Sequence, residues 1–409
     1  MCKQDPDTSK LNLGVGAFRD DAGKPHVMTI VKEVEEEMAR EVAADTLNHE
    51  YPPMGGSQDL VMAAARLALG NDSSRIAHEH VTGVQALSGT GALRLNGEFL
   101  NLFHANKTIY IPDPTWGNHK PIFAESGLNV KTYRYFDEGT LGLDITGLLE
   151  DLAAAPKESI ILLHAVAHNP TGVDPTEEQW GMIADAIVAN DHLAVFDCAY
   201  LGFVSGDIDT DAMAMRLFAN RGLSFFICMS FSKNFGIYSE RCGVTLYVGA
   251  NPDEADAVVS QLKVIGRPMW SVPPMHGAHI VQRILLDEGR TAKWRYELKE
   301  QARRILRMRR ELYEGLKARD PAHNWDHIIN QSGMFTFTGL SKEQCDELIQ
   351  VHHVYLLDNG RINVSGIPAD RVDDLVDAIC AVVQPAPDAV SVCSLDMDSE
   401  ESPSASVSD

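Results

Sequence analysis

Lys233 stands in the run Ser230-Phe231-Ser232-Lys233-Asn234-Phe235-Gly236, directly after the apolar stretch Phe225–Met229. That stretch reads as a buried strand, and open α/β sheets take up ligands at the carboxyl ends of their strands. A lysine there gives up part of its hydration, which lowers its pKa and leaves an amine suited to Schiff-base chemistry with a carbonyl group. Most lone lysines are surface residues; the small hydroxyl residues around this one are what single it out. Asp197 closes a second apolar run, Val195-Phe196-Asp197-Cys198-Ala199-Tyr200, with a phenol three residues on. A carboxylate so placed binds a metal, binds a sugar, or pairs with a cationic ring nitrogen. No His/Cys/Asp cluster with metal-ligand spacing accompanies it, which disfavours a metal. The ring-nitrogen reading gains ground if Lys233 forms a Schiff base. Ser88-Gly89-Thr90-Gly91-Ala92-Leu93 leads into apolar positions at helical spacing. Small residues opening a helix offer backbone N–H groups and a favourable dipole to an anion, though an ordinary helix cap has the same look. No Gly-Lys-Ser/Thr follows, so it is not a Walker loop. Its third glycine and the segment before it do not match a dinucleotide fingerprint, so a nicotinamide dehydrogenase is disfavoured.

Elements must bring these three segments together. Ile30, Val31, Val34, Met38 and Val42 keep near-helical spacing through a charged stretch, which predicts an amphipathic helix. Short β-rich or apolar runs at Thr108–Ile111, Ser159–Val166, Leu193–Phe196, Ser224–Met229 and Val244–Val248 predict buried strands, with helical patterns such as Thr176–Val188 between them. Alternation of this kind predicts an α/β fold with a mostly parallel sheet flanked by helices. A long helix is expected over Glu297–Arg319, with Leu298, Ala302, Ile305, Leu312 and Leu316 inward and its arginines on a solvated face. Gly333–Leu340, Lys342–Val351, Val354–Leu357 and Arg361–Val364 read as a separate, smaller α/β unit.

The chain has 409 residues, 58 Asp+Glu against 35 Lys+Arg, and a formal charge of −23. Nucleic acid and anionic membrane both need a basic footprint, so neither is expected as a partner. Seven scattered cysteines without a C-x-x-C pair argue against a disulfide framework or zinc ribbon and for a reducing compartment. The start, Met1-Cys2-Lys3-Gln4-Asp5-Pro6-Asp7, lacks a hydrophobic signal core or Arg-rich transit pattern, and a cytoplasmic location is expected. Residues 385–409 hold seven serines, six acidic residues and no aromatic, so they are expected to form a disordered tail.

Taken together, the segments resemble the aspartate aminotransferase family of fold-type I pyridoxal-phosphate enzymes, over about Leu11 to Val383. The landmarks are Asn48-His49-Glu50-Tyr51, Ser88-Gly89-Thr90-Gly91, Pro114-Thr115-Trp116 and His168-Asn169-Pro170-Thr171-Gly172, followed by Asp197-x-x-Tyr200 and Ser230-x-Ser232-Lys233. Glu240-Arg241, Arg267 and Gly360-Arg361-Ile362-Asn363-Val364-Ser365-Gly366 complete the series. Any one of them would be weak; their order across the chain is what makes them specific.

The resemblance implies a role for each. Lys233 would carry pyridoxal 5'-phosphate on its amine and, once displaced by substrate, move the proton. Asp197 would keep the ring nitrogen protonated, and Tyr200 and Asn169 would hydrogen-bond the ring's phenolic oxygen. Ser88, Gly89, Thr90, Ser230 and Arg241 would grip the phosphate, with Tyr51 reaching it from the other subunit of a homodimer. Trp116 would stack on the ring. Arg361 would clamp the substrate α-carboxylate, near Trp116, Asn169 and Gly16, and Arg267 from the partner subunit would take the distal carboxylate of aspartate or glutamate. His119 and His164 would orient Asp197, or else be core histidines. The implied reaction is ping-pong exchange between L-aspartate and 2-oxoglutarate, with no metal. A broad aspartate/aromatic specificity and a non-catalytic protein that keeps the fold are the alternatives. The implied domains are a large cofactor-binding one at 27–300 and a small one from 1–26 and 301–384. Four departures stand out: Phe18 for a tyrosine, Ser239 and Val272 each for an asparagine, and only ten residues before Leu11 where relatives carry a longer arm. The short start implies a misassigned gene start or a dimer less tightly strapped.

Overall fold

The structure is a computed structural model that describes residues 2–383; the serine-rich stretch 385–409 lies outside the described residues. Seven strands form the central sheet: β1 (Val81–Leu87), β2 (Thr108–Asp113), β3 (Asn129–Arg134), β4 (Ile160–His164), β5 (Leu193–Cys198), β6 (Phe225–Ser230) and β7 (Cys242–Val248). Their order is β1-β7-β6-β5-β4-β2-β3. All run parallel except β7, which is antiparallel to both β1 and β6. The mostly parallel sheet expected from the alternation is present. Strands β1 and β3 escape the sequence reading for physical reasons. Edge strand β3 carries exposed polar residues. In β1, Gly83 lies where an added Cβ would sit 2.4 Å from the Thr245 carbonyl oxygen, so the closeness of β7 demands a glycine inside a strand.

Covering on both faces explains the apolar runs. Along β5 and β6, Ala194, Phe196, Phe225, Ile227 and Met229 enter one core cluster, while Val195, Phe226 and Cys228 enter the other. Helix α1 (Thr29–Ala43) buries Ile30, Val31, Val34 and Met38 as its spacing predicts, but Val42 remains 39% exposed beside an apolar cleft. Helix α2 (Ser88–Phe103) follows β1 without a linker. Helix α3 (Glu177–Ala189) starts at a capping box between Thr176 and Gln179, and α4 (Pro252–Trp270) starts at Asn251, whose side chain accepts from the Glu254 amide. No helix among the described residues is long and apolar enough to cross a membrane.

Helix α5 (Glu288–Arg319) runs unbroken through 32 residues and packs on the last helix, α6 (Val372–Val383). Leu298, Ala302, Ile305, Leu312 and Leu316 are buried, as their spacing predicts. Its arginines do not all lie on a solvated face, which corrects the sequence reading. Arg309 is 2% exposed and donates to the carbonyls of Ile328 (2.8 Å), Gly333 (2.9 Å) and Phe335 (2.6 Å), and to the Thr336 hydroxyl. Arg304 donates to the carbonyls of Asp20, Ser365 and Ile367. One helix thereby ties the N-terminal segment to the C-terminal one. Two short pairings complete that region: Leu11–Asn12 runs parallel to Val354–Tyr355, and Phe335–Phe337 runs antiparallel to Arg361–Asn363.

Replacing Arg309 by Met leaves three buried carbonyls and a hydroxyl without their donor. Each unsatisfied group costs about 1–3 kcal/mol, so we expect the Arg309→Met chain to lose roughly 3 kcal/mol or more of stability, seen as a lower urea midpoint.

Candidate active site

The strand ends converge. Register sets His164 of β4 opposite Asp197 of β5, Ser230 of β6 opposite Gly243 of β7, and Leu87, the residue before Ser88, opposite Cys242. Here they border a cavity of about 180 Å³ lined by Ser88, Trp116, Asn169, Asp197, Lys233 and Arg241, among others. Lys233 lies just past β6 with its Nζ 4.9 Å from the centre of the Tyr200 ring. Burial pushes its amine below the ordinary lysine value; Asp197 opposes the shift and Arg241 adds to it. Gly16 and Tyr200 line the same cavity, as do Gly89, Thr90 and Ser230.

Asp197 is the buried charge of the site. Its Oδ2 lies 2.9 Å from His119 Nε2, His119 Nδ1 lies 2.8 Å from Thr115 Oγ1, and Thr115 Oγ1 lies 3.1 Å from His164 Nε2. The far end fixes the direction of every proton in this chain. The Asn169 amide can only donate, and it points at His164 Nδ1 at 3.4 Å. His164 therefore donates from Nε2 to Thr115, the Thr115 hydroxyl donates to His119 Nδ1, and His119 donates from Nε2 to Asp197. Burial pushes His164 down to about 3, so it is the neutral ring this polarity requires. Burial alone would raise the Asp197 carboxyl. The hydrogen bond from His119, with the charge of Lys233, outweighs it and holds the group below the usual carboxylate range. His119 and His164 are thus both core residues and orienters, so the two sequence readings do not exclude each other.

Opposite Asp197, three hydroxyls cluster. Ser88 Oγ lies 2.9 Å from Ser230 Oγ and 2.8 Å from Ser232 Oγ, and Arg241 Nη1 donates to Ser232 Oγ at 3.3 Å. Ser88 (φ 60°) and Arg241 (φ 50°) both hold the left-handed backbone conformation, unusual for residues with a Cβ. Gly89 leaves the space in which a Cβ would meet the Ser230 side chain at 3.2 Å. Hydroxyls, a guanidinium and the first amides of α2 aimed at one place make a cradle for a phosphate-like anion.

Arg361 stands behind Asn169, one of the residues that line the cavity. Its Nη1 donates to Asn169 Oδ1 (3.0 Å), its Nη2 donates to the Gly14 carbonyl (2.9 Å), and its guanidinium stacks 4.2 Å from the Phe335 ring centre. Asn169 Nδ2 in turn donates to the Tyr200 hydroxyl at 3.3 Å. Arg361 Nε is buried with no hydrogen-bond partner among the described residues, a donor waiting for an acceptor. An added Cβ on Gly16 would meet the Phe335 ring at 3.2 Å.

Tyr51 and Arg267 are not brought to this cavity. Tyr51 is 80% exposed beside a separate cleft of about 790 Å³ that includes Met38, Trp270, Val272 and Pro274, and Arg267 is exposed near the end of α4. The sequence reading missed three contributors. Thr115 and Ser232 sit inside quoted motifs but are small polar residues whose partners become visible only once distant strands are in register. Tyr238 lines the cavity, and its hydroxyl accepts from the Phe18 amide at 2.9 Å. Phe18 is itself 5% exposed with Arg304 over its ring, so the absent hydroxyl leaves no gap in the wall. Ser239 is exposed and donates to Glu240 at 3.2 Å. Among the described residues, no group of three or more His, Cys, Asp or Glu side chains could hold a metal ion.

A family model described as aminotransferase class I and II matches residues 8–379. The chain is similar to an aspartate aminotransferase of Medicago sativa, with 48% identity over 93% of this chain and 90% of that protein. Among solved structures, a mitochondrial aspartate aminotransferase of Trypanosoma brucei matches with a TM-score of 0.89 and 40% identity, over 94% of this chain and 98% of that one. An aromatic-amino-acid aminotransferase of Burkholderia pseudomallei, covalently bound to pyridoxal phosphate, matches with a TM-score of 0.90 and 37% identity, over 94% and 95%.

In the cofactor-free chain the neutral form of Lys233 should appear at lower pH than in an ordinary lysine. Asp197 holds the amine's pKa up, so Asp197→Asn should move the midpoint lower still. Modification by an amine-directed reagent across pH, read at Lys233 by peptide mass spectrometry, measures both; a higher midpoint in the variant would contradict the assignment.

Proposed function

Because this chain belongs to the class I and II aminotransferases, we propose that it exchanges an amino group between L-aspartate and 2-oxoglutarate, giving oxaloacetate and L-glutamate by ping-pong turnover. It is a pyridoxal-phosphate-dependent transaminase. The observation that carries the reading is the convergence of an amine and a buried carboxylate, Lys233 and Asp197, on one cavity, with the Arg361 guanidinium held behind it by the lining residue Asn169. The residues fit the cofactor, because the serine cluster with Arg241 suits its phosphate and Asp197 suits a cationic ring nitrogen. When bound, pyridoxal phosphate supplies the aldehyde carbon that takes the amino group and the ring that draws electrons from the substrate Cα.

The chain's own groups do the rest. Lys233 would hold the cofactor through Nζ and would carry the substrate Cα proton on that nitrogen. Asp197, held ionised by the His119–Thr115–His164 chain, would pair with the cationic ring nitrogen. Tyr200 and Asn169 hold the phenolic oxygen, Trp116 covers one ring face, and Ser88, Gly89, Thr90, Ser230 and Arg241 hold the phosphate. Arg361 would take the α-carboxylate with its guanidinium fork. Tyr51 and Arg267, exposed in one chain, serve the site of a second copy in a homodimer, Tyr51 at the phosphate and Arg267 at the distal carboxylate. Residues 27–300 form the large domain, and 1–26 with 301–384 form a small one that closes over substrate and excludes water. Six scattered, unpaired cysteines among the described residues suit a reducing compartment such as the cytoplasm.

A second reading extends the substrates to aromatic amino acids. The apolar cleft beside Tyr51 favours it, because Trp270, Val272 and Pro274 stand near the exposed Arg267. Relative kcat/KM for aspartate, phenylalanine and tyrosine decides between the two.

Aspartate and 2-oxoglutarate should yield oxaloacetate, read by coupled reduction, and Lys233→Ala should abolish turnover. Borohydride treatment of the holoenzyme should leave the cofactor mass on Lys233; an adduct elsewhere would overturn the reading. Arg267→Ala should lose roughly 1.5–3 kcal/mol in kcat/KM for aspartate, about 10- to 150-fold. If sites are shared across a dimer, mixing Lys233→Ala with Arg267→Ala chains restores one intact site per mixed dimer, roughly a quarter of wild-type activity after random exchange. No recovery, with mixed dimers shown to form, would place Arg267 in its own chain's site.

A further inference from the structure

The segment before the first short strand is fastened to its own chain. Asp5 Oδ2 accepts from the Tyr355 hydroxyl (2.6 Å) and lies 2.8 Å from His353 Nδ1, while Asp5 Oδ1 accepts from the Asp7 amide at 2.8 Å. The Tyr355 hydroxyl, the Asp7 amide and His353 together hold the Asp5 carboxyl well below the usual carboxylate range, so it is charged at any physiological pH. Although Asp5 lies near the chain start, its side chain is only 8% exposed. Arg371 adds a hydrogen bond to the Ser9 carbonyl at 2.6 Å, and Lys10 donates to the Asp5 carbonyl.

Two residues that Asp5 grips are the ones that pair with the N-terminal strand. The Leu11 amide donates to the His353 carbonyl (3.0 Å) and the Leu13 amide to the Tyr355 carbonyl (2.8 Å). His353 occupies the left-handed region at φ 55°, a conformation that its own backbone does not favour. The ladder spans only two residue pairs, Leu11 with Val354 and Asn12 with Tyr355, too short to be rigid by itself. Immediately beyond it, the Gly14 carbonyl accepts from Arg361 Nη2, and Gly16 lines the cavity. A ladder this short frays unless its flanks are anchored, and fraying here would move one of the two acceptors that aim Arg361.

We propose that Asp5 is a positioning residue for the substrate-carboxylate site: it locks His353 and Tyr355, which lock Leu11–Gly14, whose Gly14 carbonyl aims Arg361. The proposal rests on the reading of Arg361 as the α-carboxylate clamp. Asp5 touches neither cofactor nor substrate, so its loss should act on carboxylate binding and leave the cofactor-binding residues undisturbed.

The test uses holoenzyme and succinate, a dicarboxylate without an amino group to transfer, titrated by calorimetry. Asp5→Asn should weaken succinate binding and raise KM for aspartate and 2-oxoglutarate alike, each by roughly tenfold, about the strength of one hydrogen bond to a charged group. The visible absorbance of the cofactor and kcat at saturation should stay near wild type. Asp5→Glu should recover part of the loss, Tyr355→Phe should show a smaller version of it, and the Leu11 and Leu13 amides should exchange faster in Asp5→Asn. An Asp5→Asn holoenzyme that melts earlier yet binds succinate as wild type would reduce Asp5 to a structural role and overturn the proposal. A wild-type holoenzyme that binds no succinate would instead overturn the Arg361 reading, and this proposal with it.

Discussion

A carboxylate kept charged where almost no water reaches it governs this structure. Asp197 is 8% exposed, and an isolated ion in such a place would take up a proton. It stays ionised because the Asn169 amide orients His164, His164 orients Thr115, Thr115 orients His119, and His119 offers Asp197 its N–H. Every link needs its neighbour at hydrogen-bond distance. The register of β4 on β5 and the placement of the Thr115–His119 turn are therefore fixed by the same requirement that fixes the charge. The lowered pKa of Lys233 follows from the same enclosure, held in check by the carboxylate it faces.

How much of this was legible in the sequence depended on what kind of residue carried the information. Lys233 and Asp197 showed because a charge at the end of an apolar run is an anomaly that periodicity alone does not explain. The buried strands β4, β5 and β6 showed for the complementary reason: covered on both faces, they have no polar residues to blur them. Edge strand β3, which faces water, and β1, whose Gly83 is dictated by the backbone of β7, have no such signature. Arg309 was misread because helical spacing gives a direction on the helix and not what lies beyond it. Here that direction meets a cluster of bare carbonyls, and burying a guanidinium satisfies four acceptors at once. Thr115, Ser232 and Tyr238 were the hardest to see. Hydroxyls are common, and only the packing of segments 49 to 220 residues apart makes one of them a relay or a cradle.

The roles of Arg361 and Ser88 show the same dependence on distant segments, by different routes. Around Ser88 the sheet does the assembling: β1, β6 and β7 end side by side and leave three hydroxyls touching. Around Arg361 no large sheet is available. The guanidinium is aimed instead by a carbonyl from residue 14, an amide side chain from residue 169 and an aromatic ring from residue 335. A site held by three short, separately anchored pieces is easier to displace than one held by a continuous sheet, which would suit the closing motion proposed for the small domain.

The two arginines assigned to substrate differ in the same sense. Arg361 is stacked on one face, hydrogen-bonded at both terminal nitrogens and buried, so its geometry is set before any ligand arrives; the low entropy cost of engaging its remaining N–H donors favours binding. Arg267 stands exposed at the end of a helix that contains Pro268, with little to fix its rotamer. An aminotransferase must accept two different substrates in turn at one site. The α-carboxylate is common to both and belongs with the rigid group; the side-chain end is what varies and belongs with the mobile one. A conformationally free arginine can meet a carboxylate at either of two distances, or turn to solvent beside the apolar surface of Trp270 and Val272. In the homodimer proposed above, the breadth of specificity would be set by how firmly a second copy of the chain holds Arg267, and not by the groups that carry out the proton transfer.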